Sequence, residues 1–255
     1  MLDSTVPPSI LGVIPARYAS VRFPGKSLAV IAGKPMIQHV WERAAQSRYL
    51  NQVVIATDDE RIAAVARGFG APVRMTRTDH ASGTDRVAEV AASTDAQVIV
   101  NIQGDEPLID PGAIDTAILA LLDEPGCEMA TLKRQISTPA EIENPNVVKV
   151  VTARNGDALY FSRWPVPFDR GSGGVWWKHI GLYVYRRALL MGYSSLPVGP
   201  LEQAERLEQL RALENGIPIR VAETEYDTIG VDTPEDLTAV LQLFSLTSSA
   251  TTNDG

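Results

Sequence analysis

A chain of 255 residues with 31 Asp plus Glu against 23 Lys plus Arg carries a formal charge of 23 − 31 = −8. That balance argues against coating a nucleic acid, which takes surplus Lys and Arg to displace counterions from phosphate. The single cysteine, Cys127, excludes an intrachain disulfide and a multi-cysteine zinc site, and a chain this long needs neither to fold.

No run of about 18 apolar residues occurs, and the start Met-Leu-Asp has no Lys or Arg ahead of a short apolar run. The expectation is a cytoplasmic protein without a signal peptide or membrane insertion. Ile10 to Ile14 reads as a buried strand closed by Pro15. Pro35 opens a helix whose apolar stripe is Met36, Ile37, Val40, Trp41 and Ala44. Val53 to Ala56 is a second strand, ending at Thr57-Asp58-Asp59. A helix through Ile62, Ala63, Val65 and Ala66 follows, closed by Gly68 and Gly70. Val73 to Met75 is a third strand, Thr84 to Ala92 a helix, and Val98 to Ile102 a fourth strand. Strands separated by helices predict βαβ units and a mostly parallel sheet. Ligands of such sheets lie beyond the carboxyl ends of the strands, so the loops after Ile14, Ala56, Met75 and Ile102 matter most.

The middle predicts strands at Met129 to Gln135, Val147 to Thr152, Ala158 to Ser162 and Ile180 to Tyr185. Asn155-Gly156 is a hairpin turn between the second and third of these. Asp169 to Gly174 reads as a glycine-rich loop, and Leu201 to Leu213 as one helix ended by Asn215-Gly216. Thr233-Pro234-Glu235-Asp236 opens a last helix with a capping Thr and an acid three residues on. Residues 1–246 read as one domain with an insertion at about 125–215, and 247–255 as an unstructured tail.

Four features carry chemistry. The first loop ends in Gly25-Lys26-Ser27, like a P-loop. However, Ser20 stands where the first glycine belongs, Pro24 removes an N–H, and no helix follows, so the P-loop is rejected. What remains is Arg17, Arg22 and Lys26 at a strand end. From Ser4 to Trp41 there are four basic residues and no acid, so this segment is +4 and the rest is −8 − 4 = −12. A cationic island in an acidic protein suits a polyphosphate, although a solvated basic loop would look the same. Second, Asp105 in Asn101-Ile-Gln-Gly-Asp-Glu-Pro107 follows a buried strand, where a hard oxygen ligand suits Mg²⁺. Third, Asp232 precedes the capping Thr233 and is either a cap-region acid or a second metal carboxylate. Fourth, His179 and Tyr183 lie four apart on a strand, hence on one face.

Together these residues closely resemble the 3-deoxy-manno-octulosonate (Kdo) cytidylyltransferase, or CMP-Kdo synthetase, family. The matching stretches run from Ile14–Lys26 through Gly33–Ala44, Ala56–Ile62, Met75–Arg86, Asn101–Pro107, Asn144–Val151, Ala158–Arg163, His179–Arg186 and Leu207–Arg211 to Gly230–Leu237. The resemblance implies a nucleotide-diphospho-sugar-transferase-like α/β/α sandwich in three layers, with a mixed, mostly parallel sheet. It implies CMP transfer from CTP to the anomeric hydroxyl of Kdo, with Mg²⁺, in a homodimer serving lipopolysaccharide assembly. Arg17, Arg22 and Lys26 would grip the triphosphate. Arg77, Ser82 and Thr84 would surround cytosine and ribose. Asp105 and Asp232 would hold Mg²⁺ and, with Lys26, carry catalysis. Gln103, Arg163, His179, Tyr183, Glu208 and Gln209 would line the sugar pocket, with Arg163 facing the sugar carboxylate. An 8-amino Kdo analogue as substrate, or a CMP-sialic acid-type reaction, are the alternatives; a similar-fold glycosyltransferase or a non-catalytic nucleotide binder are further ones.

Overall fold

The computed structural model describes residues 7–19, 22–171, 173–227 and 229–250, with side chains through residue 245. In chain order, β1 (Ile10–Ala16) leads to a 3₁₀ turn (Lys26–Leu28), the small hairpin β2 (Val30–Ile31) and β3 (Lys34–Pro35), and α1 (Met36–Ala44). Then come β4 (Gln52–Thr57), α2 (Glu60–Gly68), β5 (Val73–Met75), α3 (Gly83–Ala92), β6 (Val98–Asn101) and α4 (Pro111–Leu122). The second half has β7 (Met129–Gln135), α5 (Pro139–Glu143), β8 (Lys149–Thr152), β9 (Ala158–Ser162), β10 (Trp177–Arg186) and α6 (Arg187–Tyr193). It ends with α7 (Pro200–Glu205), α8 (Leu210–Glu214), β11 (Ile219–Glu223) and α9 (Pro234–Ala250).

Backbone contacts group the chain into two compact units. The first comprises Leu11–Thr94, Asn101–Pro111 and the described part of Thr228–Gly255. Here β1 pairs parallel with β4, and β4 parallel with β5. β1 runs through Pro15, because one missing ladder donor does not end the pairing: Pro15 still stands opposite Ala56. Met36, Ile37, Val40 and Ala44 of α1 are fully buried, as the stripe predicts. Trp41 is half-buried, and its indole N–H donates to the Val53 carbonyl at 3.2 Å. Asp59 caps α2 by accepting from the Arg61 N–H. Ser82 and Asp85 form a reciprocal capping box on α3. α9 packs on the β2–β3 hairpin through Ile31, Met36, Val231 and Val240, with Phe23, Leu237 and Phe244 around them. Its helix reaches Ala250, beyond residue 246 where a tail is expected, because Thr247 to Ala250 contains no Gly or Pro; 251–255 lie outside the described residues.

The second unit comprises the described part of Met1–Ile10, with Asp95–Val100 and Gly112–Asp227, and so contains all described residues of the expected insertion. β7 pairs parallel with β11 and antiparallel with β10; β10 also meets β8, which forms a hairpin with β9. Gly156 turns that hairpin at φ +90°. Strand pairing within this unit is therefore both parallel and antiparallel. α4 and β11 are not anticipated by the sequence reading. The sequence of α4, PGAIDTAILALL, is apolar nearly all round, which erases the contrast that marks a helix face. Cys127 is a buried thiol whose Sγ donates to the Met129 carbonyl, and burial raises its pKa.

The expected single helix from Leu201 to Leu213 is broken into α7 and α8. Arg206 adopts the left-handed conformation, φ +53° and ψ +49°. Carbonyls that would extend α7 are engaged instead by Arg163: Nε donates to Glu205 O at 2.7 Å and Nη2 to Arg206 O at 3.4 Å. A β-branched residue tolerates that conformation poorly and glycine tolerates it well. Arg206→Val should therefore lower unfolding free energy by roughly 1–2 kcal/mol, while Arg206→Gly should leave it unchanged or higher. Urea titration of both variants checks the ordering, and equal losses would contradict it.

Candidate functional site

The first unit holds a cavity of about 410 Å³ at the carboxyl end of β1, where the parallel-sheet rule places it. Its walls include Arg17, Arg22 and Lys26 from the loop after β1, Gln103 and Asp105 from the loop after β6, and Asp232 from the turn before α9. The first loop folds back on itself. Gly25 N–H donates to the Tyr18 carbonyl at 2.8 Å, with Gly25 at φ +73° and a Cβ there only 3.0 Å from the Tyr18 ring. The Arg61 guanidinium covers that ring at 3.3 Å. Ser20 and Val21 lie outside the described residues. After Lys26 there is only the 3₁₀ turn and then the hairpin, so no P-loop helix follows.

Lys26 lines the cavity and gathers its carboxylates. Its Nζ donates to Asp105 Oδ2 at 2.7 Å, Asp232 Oδ1 at 2.8 Å and the Val231 carbonyl at 3.1 Å. The two carboxylate loops are also joined directly, by Val231 N–H donating to Asp105 O at 2.9 Å. Arg22 donates to the other oxygen of Asp232 at 2.7 Å. Gly104 makes this approach feasible: a Cβ there would stand 2.9 Å from the Pro15 carbonyl. Burial opposes the Lys26 charge, yet Asp105 and Asp232 outweigh it and raise the lysine pKa. Burial likewise works against the Asp232 charge, and Lys26 and Arg22 outweigh it, lowering the carboxyl pKa.

Arg77, Ser82 and Thr84 are not brought to the cavity wall, although their neighbour Gly83 is. Arg77 is exposed and pairs with Asp79 at 3.1 Å. The Ser82 hydroxyl accepts from Asp85 N–H as the α3 cap, and Thr84 is buried in the first turn. Arg86, which the residue reading does not single out, does line the cavity. It is only 2% exposed, donates to Thr76 Oγ1 and pairs with Asp58 at 3.1 Å. A buried arginine inside a helical pattern gives no signal distinguishing it from a surface one. No cluster of three or more His, Cys, Asp or Glu side chains poised for a metal occurs among the described residues.

The second unit gathers Arg163, His179, Tyr183, Glu208 and Gln209. His179 and Tyr183 share a face of β10, their rings 5.4 Å apart. Burial lowers the His179 pKa to about 3, so its imidazole is neutral at pH 7. Thr131 Oγ1 lies 2.9 Å from His179 Nε2 and within reach of the Ile180 and Leu182 carbonyls. Burial also raises the Tyr183 pKa well above the ordinary phenol value. Rings continue from Tyr183 to Tyr185 and Tyr193, whose hydroxyl donates to the Glu208 carbonyl at 3.0 Å. Gln209 is buried at the start of α8. Arg163 commits Nε, Nη1 and Nη2 to the carbonyls of Glu205, Pro145 and Arg206.

Known proteins place the chain. The family model described as "Cytidylyltransferase" matches residues 11–223. The 3-deoxy-manno-octulosonate cytidylyltransferase of Solibacter usitatus is 64% identical over 241 residues, covering 94% of this chain and 96% of the relative. The chain belongs to the 3-deoxy-manno-octulosonate cytidylyltransferase family. The Geobacter sulfurreducens member is 56% identical over 92% of this chain and 98% of its own. A CMP:2-keto-3-deoxy-manno-octonic acid synthetase solved in complex with CTP superposes with a TM-score of 0.90 at 48% identity, covering 93% of this chain and 99% of that one. The mixed, mostly parallel sheet with its helices is thus the nucleotide-diphospho-sugar-transferase fold expected of the family. No described helix is long and apolar enough to cross a membrane.

The ion cluster of this cytidylyltransferase has a signed pH signature. Asp232 titrates below its ordinary value when folded, so its stabilisation is complete above the unfolded carboxyl range and is lost as pH falls through the lower folded value. Lys26 is raised, so its contribution is complete below the unfolded lysine value and is lost as pH rises through the higher folded one. Lys26→Met removes both couplings. Between about pH 4 and pH 2 its unfolding free energy should fall less steeply than that of the wild type. Urea titrations across this range test it, and superimposable acid limbs would refute the coupling.

Proposed function

We infer that the chain transfers CMP from CTP to the anomeric hydroxyl of Kdo and releases pyrophosphate. The observation that carries this reading is the cavity in which Arg17, Arg22 and Lys26 face Asp105 and Asp232. Cations and hard carboxylates in one small space suit a triphosphate and a divalent metal ion, since Mg²⁺ usually takes one or two carboxylates plus substrate phosphates. The donor set fits: both carboxylates already converge on one cation, Lys26 Nζ, at 2.7 and 2.8 Å. Asp105 and Asp232 would hold Mg²⁺. When bound, the ion screens the two anionic substrates from each other and makes the sugar hydroxyl more acidic.

The chain's own residues supply the rest. Arg17, Arg22 and Lys26 hold the triphosphate and offset the charge that gathers on departing pyrophosphate. The anomeric oxygen forms a bond to the α-phosphorus while the bond from that phosphorus to the β-phosphate bridging oxygen breaks. The electron pair leaves with pyrophosphate, and the hydroxyl proton is released. Arg86 sits at the cavity wall, anchored by Thr76 and Asp58, as a further cation toward the nucleotide. Arg77, Ser82 and Thr84 are proposed for the cytosine and ribose end, next to Gly83 on the wall. Gln103 is proposed to face the sugar. In the other unit, neutral His179 and un-ionised Tyr183 offer hydrogen bonds to sugar hydroxyls without a fixed charge, beside Arg163, Glu208 and Gln209.

Several wider features belong to the same reading. Leu159, Trp164 and Phe168 are strongly exposed, the last at 87%, and support a homodimer built on this unit. We propose cytoplasmic CMP-Kdo supply for lipopolysaccharide assembly as the setting of this reaction.

Purified protein with CTP, Mg²⁺ and Kdo should release pyrophosphate, with 8-amino-Kdo, UTP and sialic acid as comparisons. Asp232→Asn should keep its fold, by circular dichroism, and lose about 10²–10³ in turnover. No release with either Kdo sugar from folded protein refutes the reading. Near-normal Asp232→Asn activity with an unchanged metal requirement refutes the metal assignment.

A further inference from the structure

One carboxylate stands behind the break between α7 and α8. Glu205 ends α7 and reaches across to the end of β9. Its Oε1 accepts from Ser162 Oγ at 2.9 Å and from the Tyr160 hydroxyl at 3.3 Å. Its Oε2 accepts from Arg163 N–H at 2.8 Å, and its own carbonyl accepts from Arg163 Nε at 2.7 Å. Ser162 is buried, so its hydroxyl has little water to turn to. On the far side of Arg163, Nη1 donates to the Pro145 carbonyl at 3.0 Å. The turn carrying Pro145 is itself pinned by the buried Lys149 ammonium, which donates to the carbonyls of Asn144 at 2.9 Å and Val147 at 2.6 Å.

The consequence lies just downstream. Arg206 takes the left-handed conformation, and Leu207, Glu208 and Gln209 then lead into α8. That conformation is unfavourable for a non-glycine residue, and the flanking Leu, Glu, Gln, Ala and Arg residues are strong helix formers. A segment with this composition straightens into one helix unless something holds the break. Straightening would turn Glu208 and Gln209 to other faces and strip Arg163 of two carbonyl partners.

We propose that Glu205 is a positioning residue for the acidic sugar, fixing Arg163 and the Glu208–Gln209 segment in one arrangement and acting through them without touching the substrate. This rests on the reading that these residues meet the sugar. Glu205 holds this frame through its acceptors, and its carboxylate also favours the charged form of the buried Lys149 ammonium against the cost of burial. Glutamine keeps part of that acceptor pattern: its amide oxygen still accepts from Arg163 N–H, while its NH₂ turns the Ser162 and Tyr160 hydroxyls from donors into acceptors.

The test is a steady-state and binding series on the full chain. Glu205→Ala should raise KM for Kdo about tenfold or more, while directly titrated CTP affinity stays within about twofold. Glu205→Gln should recover part of the loss. The Tyr160→Phe/Ser162→Ala double variant, which leaves Glu205 and the backbone partner in place, should show a smaller rise in the same constant. A merely structural role would lower the melting temperature and move both substrates together. Unchanged KM for Kdo in Glu205→Ala, an equal loss of CTP affinity, or no recovery in Glu205→Gln overturns the proposal. Wild-type protein that turns over no Kdo sugar overturns instead the reading beneath it, and the proposal with it.

Discussion

One ammonium group holds three loops in place. Lys26 comes from the loop after β1, Asp105 from the loop after β6, and Asp232 from the turn before α9. Like-charged carboxylates this close would repel if nothing stood between them, and a half-buried lysine without them would tend to lose its proton. Lys26 and Asp232 therefore each favour the charged form of the other. The backbone bond from Val231 to Asp105 and the close approach of Gly104 to Pro15 hold the frame in which the three meet. Arg22 and Asp232 are too exposed for their pair to add much stability, and their value is local charge.

The same cluster gives the charge distribution its meaning. A total of −8 describes a protein that avoids polyanions. Its +4 segment delivers Arg17, Arg22 and Lys26 to a cavity that also holds two of the acids. A small polyanion with a bound metal ion satisfies both signs at once, whereas a long one would meet the acidic remainder. The second unit has different chemistry. There His179 is kept neutral and Tyr183 protonated by burial, and the polar groups are locked into a network with little spare charge.

The parallel core was legible because its strands are continuous apolar runs and its helices have one-sided stripes. β1, β4 and β6 fall within two residues of the apolar runs expected, and outside that pattern β5, β7 and β9 also fall on the residues expected. α4 was not legible, since burial on most sides leaves no stripe, and neither was the break at Arg206. The local pattern there is helical, and the cause lies some forty residues away in Arg163 and β9. At the site, charge bookkeeping and strand ends led to Arg17, Arg22, Lys26 and Asp105. Asp232 became more than a cap-region acid only when paired with Asp105. Ser82 shows the reverse: a motif residue whose hydroxyl is also needed as a helix cap. Arg86 was hidden because burial cannot be read from an arginine. Most of the sugar-side set came from family resemblance, because only His179 and Tyr183 have a spacing that speaks for itself.

The most direct measurement is a crystal structure with CTP and Mn²⁺, using anomalous scattering to locate the metal. A manganese peak ligated by both Asp105 and Asp232, with the triphosphate against Arg17 and Lys26, is the expected result. A peak away from these two carboxylates, or a triphosphate seated outside the loop after β1, would contradict it.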